Sequence, residues 1–111
     1  MKDQSPRIPW FEPSFDEADI EAVRQTVVRG FVNEGSLNRA FEQELCKFFG
    51  VPFAVTTPNC TTAIALSLMA LGVKHGDTVL VPDITFIGTA SAVILAGAEP
   101  ILVDVDPKTF N

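Results

Sequence analysis

The stretch FAVTTPNCTTAIALSLMALGVKHGDTVLVPDITFIGTASAVILAGAEPILVDVD, residues 53–106, decides the fold. It opens with a short β-type run at 53–57. After a Pro-Asn break it continues as a nearly all-apolar helix over 60–71 that stops at Gly72. VKHGD is a turn, and TVLVP (Thr78–Pro82) reads as a second strand. TFIGTASAVILAG (85–97) reads as another apolar helix despite its internal glycine, and PILVDVD (100–106) as a third strand. Strand, helix, strand, helix, strand predicts right-handed crossovers and a parallel sheet. The strands lack clean apolar–polar alternation, as expected where both sheet faces are covered. Residues 48–73 carry no charge, but Pro52, Pro58, Asn59 and the threonines interrupt them. They read as a buried strand–turn–helix, not a membrane span.

Upstream, residues 1–13 are proline-rich and irregular. Ser14 and Glu17 fit a capping box for a helix in which Ile20, Val23 and Val27 keep helical spacing and Gly30 is the stop. FVNEG is a loop. Ser36 then reads as the cap of a second helix, with Leu37, Phe41, Leu45 and Phe48 on one face and Gly50 closing it. At the other end, DPKTFN looks like a turn into a further helix. An open three-stranded sheet is a poor end point, so residues 1–111 read as the first part of a longer protein. There is no internal repeat and no low-complexity segment.

A chain of 111 residues suffices for one modest domain with a core, and 47% hydrophobic residues predicts a globular one. The net charge of −6, from 14 acidic and 8 basic residues, disfavours a nucleic-acid or anionic-membrane partner. It does not disfavour a small anion held by backbone amides. Cys46 and Cys60 form neither a disulfide framework nor a metal-binding spacing, and Cys46 reads as a small buried apolar residue. His75 has no neighbours suited to zinc. MKDQSPRIPWFEPSF lacks the apolar core of a signal peptide. These features point to a cytoplasmic soluble protein without a metal site.

Two segments can carry chemistry. PNCTT (58–62) lies beyond the carboxyl end of the first predicted strand, where α/β sheets bind ligands. Two readings are open there: an ordinary Asn59 helix cap, or a helix N-terminus whose free amides hold an anion. The segment is neither a P-loop nor a GxGxxG fingerprint. PDITF (82–86) follows the second strand, and Phe86 is either a core residue or a ring face for a flat ligand. Asp83 reads as a cap of the next helix, and Asp104 and Asp106 as solvated strand-end carboxylates. Lys74 and Lys108 fall in polar turns, unlike a desolvated, activated lysine.

Taken in order, EPSFDEADIEAV, GFVNEG, FEQELCKFFGV, NCTTAIALSLMALGVKHGDTVLVPDITFIGTASAV and GAEPILVDVDPKTFN resemble the N-terminal part of the DegT/StrS family of sugar aminotransferases. The resemblance runs from about residue 8 to residue 111. It implies an α/β fold, the first part of the large domain of the aspartate-aminotransferase type of pyridoxal-phosphate enzyme, βαβαβ preceded by two helices. It also implies pyridoxal 5'-phosphate as cofactor. Cys60 and Thr61, with Thr62, would contact its phosphate, and Phe86 would stack on its pyridine ring. The family commonly has glycine where this chain has Cys60, which puts the closest backbone approach to the phosphate in question. Trp10 and the loop residues Gly30, Phe31, Val32 and Asn33 are the implied substrate-side surface near a dimer interface; the other open reading is that Trp10 and Phe31 simply pack the N-terminal segment.

The implied reaction moves an amino group, usually from glutamate, to a keto group of a nucleotide-linked sugar, in cell-surface polysaccharide or amino-sugar synthesis. The cofactor serves as electron sink. The family's catalytic lysine and its pyridine-pairing Asp match nothing on this chain, so no catalytic residue is expected here and the chain alone is expected to be inactive. Two alternatives stand beside this one. One is a sugar dehydratase of the same family with histidine in place of the lysine. The other is a truncated, non-catalytic chain that binds a partner through its sheet edges.

Overall fold

The computed structural model describes residues 9, 11–31 and 33–110. The elements follow in the order α1 (Glu17–Val28), α2 (Ser36–Phe49), α3 (Cys60–Ala70), β1 (Thr78–Pro82), α4 (Gly88–Leu95) and β2 (Glu99–Val103). They fall into two compact units, Met1–Ala40 and Phe41–Asn111, with α2 contributing residues to both.

In the first unit the capping box of α1 is built by Asp16 and Asp19, two residues beyond the expected Ser14 and Glu17. The Asp16 side chain accepts from the amides of Ala18 and Asp19, at 2.9 and 3.0 Å, and Asp19 Oδ2 accepts from the Asp16 amide at 3.0 Å. Both pairs fit the four-residue pattern. Carboxylates are the stronger acceptors and favour the positive end of the helix dipole. Along the helix, Glu21 accepts from Arg24 Nε at 2.7 Å and Nη2 at 2.8 Å, and also from Gln25. These bonds hold the Glu21 carboxyl below its ordinary value and raise the Arg24 guanidinium above its own. Gly30, with φ of 70°, ends the helix in the left-handed region that glycine enters without strain. Ile20, Val23 and Val27 keep their helical spacing, yet α1 has no buried residue.

In the second unit β1 and β2 pair in parallel, from Thr78 opposite Glu99 to Pro82 opposite Val103. Helix α4 makes the crossover, packs on both strands, and is packed in turn by α3. The amides of Glu99 and Asp83 extend the ladder at its two ends, to Asp77 O at 3.0 Å and Val103 O at 2.9 Å. The core gathers Val81, Val93 and Ala98, with Leu68, Val73, Val79 and Ala90 packed around it. Small side chains, Ala92 on α4 and Ala96 at its C-cap, are buried near Val93 and let the helix sit close to its neighbours.

Several expectations are corrected here. Residues 53–57 form no strand among the described residues, so the sheet there has two strands, not three. An apolar run signals extended backbone, whereas a strand also needs a ladder partner. The Thr56 amide instead donates to the Glu42 carboxylate at 2.8 Å. Helix α4 begins at Gly88, not near residue 85, behind a loop in which the Thr85 and Thr89 hydroxyls share a 3.0 Å hydrogen bond. Asp83 therefore caps no helix. Ser36 is the first helical residue of α2, not its cap. Cys46 is half-buried. Phe41 and Phe48 lie on the exposed surface together with many other large apolar side chains, so the core is smaller than the composition suggests. No helix among the described residues is long and apolar enough to cross a membrane.

Candidate functional site

Helix α3 starts at a cap that the sequence makes locally. Asn59 is extended (φ −163°, ψ 164°), and its Oδ1 accepts from the Thr62 amide at 2.9 Å and the Thr62 hydroxyl at 3.1 Å. Its carbonyl accepts from the Ala63 amide at 3.1 Å and the Thr57 hydroxyl at 3.0 Å. Both Thr62 donors are thus committed to the cap. The amides of Cys60 and Thr61, one step ahead, have no acceptor among the described residues, as geometry requires of a first helical turn. The first turn of α3 holds no acidic residue to offset the positive end of the dipole. The two readings of this turn are therefore compatible: Asn59 caps, and two amides stay open.

The loop after β1 carries Phe86, whose ring is 77% exposed and is not a core residue. Gly88, buried at the start of α4, brings Phe86 and Thr61 together. A Cβ at residue 88 would run into Thr61 Oγ1 and would lie 2.9 Å from the Phe86 ring. The hydroxyl and the ring therefore close in around one bare α-carbon, although their residues are 25 positions apart in sequence. The chain marks Gly88 only faintly in its sequence. Its only signal there is a glycine inside an apolar helical pattern, which often marks close packing. Cys60 is an exposed free thiol beside this cluster.

Removing the Asn59 cap tests the local construction. Asn59→Ala is expected to cost about 1 kcal/mol in urea denaturation, the usual size of a lost side-chain cap. An unchanged midpoint would show that the Thr62 bonds contribute nothing to stability.

The other predicted residues belong to the Met1–Ala40 unit. Gly30 follows α1. Phe31 and Asn33 line a cleft of about 200 Å³ with Arg29 and the start of α2, and the Phe31 ring occupies the space a side chain at Gly35 would need. Trp10 and Val32 lie outside the described residues. Asp104 and Asp106 follow β2. Asp104 Oδ1 accepts from the Val105 amide at 2.9 Å, and Asp106 Oδ1 from the amides of Lys108 and Thr109 at 2.7 and 3.0 Å. Both carboxylates are thus engaged in turn geometry. No group of His, Cys, Asp and Glu among the described residues is arranged to hold a metal ion.

Many solved structures resemble this chain in fold. Spr1654 of Streptococcus pneumoniae, assigned as a sugar aminotransferase and solved in its PLP form, is 33% identical with a TM-score of 0.81. The match covers 93% of this chain and 26% of that one. The aminotransferase TlmJ of Streptoalloteichus hindustanus is 37% identical with a TM-score of 0.79, over 95% of this chain and 29% of its own. A GDP-4-keto-6-deoxymannose-3-dehydratase shares the fold at 24% identity and a TM-score of 0.76, over 90% of this chain and 28% of its own. The chain thus spans about a quarter of the length of the solved structures it matches. The model of the DegT/DnrJ/EryC1/StrS aminotransferase family matches residues 13–111, and the chain belongs to that family.

Proposed function

We propose that this chain supplies the phosphate-holding and ring-stacking part of a pyridoxal 5'-phosphate site in a sugar aminotransferase. The observation that carries it is the cluster around Gly88: two open amides, a threonine hydroxyl and an exposed aromatic ring. These residues fit the cofactor's chemistry. The amides of Cys60 and Thr61 donate to a dianionic phosphate at the positive end of α3. The Thr61 hydroxyl adds a donor, and Phe86 offers a face to the pyridine ring. Thr62, with both donors given to Asn59, holds the turn and leaves the phosphate to its neighbours. The side chain of Cys60 is exposed, which leaves its amide accessible although the residue is not glycine.

When bound, the cofactor supplies an electron sink for moving an amino group. In this reading the donor is glutamate and the acceptor is a keto group of a nucleotide-linked sugar. Trp10, Gly30, Phe31, Val32 and Asn33 form the sugar-facing surface. The base that moves protons is a lysine outside residues 1–111, as is the carboxylate paired with the pyridine nitrogen, and the chain alone does not turn over. The whole enzyme is a cytoplasmic homodimer in amino-sugar or polysaccharide synthesis. The many exposed apolar side chains support a chain that packs against further protein.

A second reading keeps the site and changes the reaction. With histidine in place of the lysine, the enzyme would remove water from the sugar, and the likeness in fold to the dehydratase favours keeping it. The test reads the coding DNA past Asn111 and assays the full gene product with pyridoxal 5'-phosphate and glutamate. A downstream lysine and a borohydride-trappable cofactor support the aminotransferase. Histidine at that place, with no trapped cofactor, supports the dehydratase. A stop codon at 112 would overturn both.

A further inference from the structure

Residues 53–57 lead directly into the α3 turn, so a contact that holds this segment also helps to fix where the turn sits. The Glu42 side chain, half-buried on α2, reaches across 14 residues of sequence to do this. Its Oε1 accepts from the Thr56 amide at 2.8 Å and from the Thr56 hydroxyl at 2.9 Å. Bonds to a carboxylate are shorter and roughly twice as strong as neutral ones. They also satisfy a backbone donor that a neighbouring strand would otherwise take.

The connection continues residue by residue. Next to Thr56, the Thr57 hydroxyl donates to the Asn59 carbonyl at 3.0 Å, and Asn59 Oδ1 holds both donors of Thr62. A hydrogen-bonded path thus runs from α2 to the first turn of α3, ending beside the open amides of Cys60 and Thr61. The tolerance at its far end is small, because the Thr61 hydroxyl already sits where a Cβ on residue 88 would be.

We propose that Glu42 is a positioning residue for phosphate: it sets the Cys60–Thr61 amides through Thr56 without touching the ligand. This rests on the reading that those amides hold the cofactor's phosphate. The test compares two probes, pyridoxamine 5'-phosphate and pyridoxamine, by calorimetry on the full gene product. The ratio of their affinities isolates the phosphate contacts from the ring contacts.

In the unaltered protein the phosphorylated probe should bind far more tightly. Glu42→Ala should weaken it about tenfold or more and leave pyridoxamine within about twofold, so the ratio collapses. Glu42→Gln, which keeps an acceptor oxygen at the same reach, should restore most of the ratio. Should the alanine variant fail to fold, Thr56→Val, which removes only the hydroxyl bond, should still lower the ratio by about threefold. An unchanged ratio in the folded alanine variant, or in Thr56→Val should that one alone fold, would overturn the role of Glu42 and leave the phosphate site standing. Equal binding of the two probes by the unaltered protein would overturn the phosphate site itself, and the role of Glu42 with it.

Discussion

Phe86→Ala in the full gene product is expected to weaken pyridoxamine 5'-phosphate about tenfold while leaving the urea midpoint nearly unchanged. The separation of the two effects follows from exposure. Within residues 1–111 the ring is 77% exposed, so truncating it opens no cavity in this part of the protein. Against a bound heteroaromatic ring the same side chain contributes stacking of about 1–3 kcal/mol, by analogy with bases on aromatic platforms, and 1.4 kcal/mol is tenfold. Thr61→Ala should act on the other end of the ligand. A hydrogen bond to a charged group contributes about 1.5–3 kcal/mol, so phosphate-dependent affinity should fall by about ten- to a hundredfold. Phe86→Ala should weaken pyridoxamine as well, whereas Thr61→Ala should spare it. A Phe86→Ala protein that binds both probes normally would leave the ring without a ligand role.

Val93→Asp should abolish the cooperative unfolding transition of the 41–111 unit. Val93 and Val81 are each 1% exposed and belong to a cluster that joins α4 to β1 and to Ala98, just before β2. An aspartate at 93 would be buried there with no partner for its charge, at a cost of several kcal/mol even if it protonates. Total stability of a domain is only about 5–15 kcal/mol, and this core is small. Val93→Ala, by contrast, leaves only a small cavity and should cost about 1–3 kcal/mol while retaining a cooperative transition. Far-UV circular dichroism with urea distinguishes the two. A wild-type-like transition in Val93→Asp would mean that this cluster does not hold the unit together.

Much of the local construction is legible in the chain. The helix from Cys60, the strand at 78–82, a last strand read at 100–106 and found at 99–103, and the glycine stops at 30, 50 and 72 are all matters of short-range pattern and φ preference. The anion-ready turn is also local, because a helix that opens with Asn-Cys-Thr-Thr leaves its first amides free wherever it is placed. The capping box was displaced by two residues for the same reason in reverse. Overlapping Ser14/Glu17 and Asp16/Asp19 patterns both satisfy the spacing, and only the helix's actual start chooses between them.

What the sequence by itself determined was the order of elements, the parallel crossover through α4 and the identity of the family, since each is written in consecutive residues. Tertiary structure decided the rest. It gave the Thr56 amide to Glu42, a contact across 14 positions that no periodicity encodes. It brought Thr61 and Phe86 together over Gly88, where the missing Cβ makes room for a hydroxyl and a ring. Periodicity reports only the faces an element presents; which donor meets which acceptor, and which α-carbon must be bare, depends on packing between segments distant in the chain.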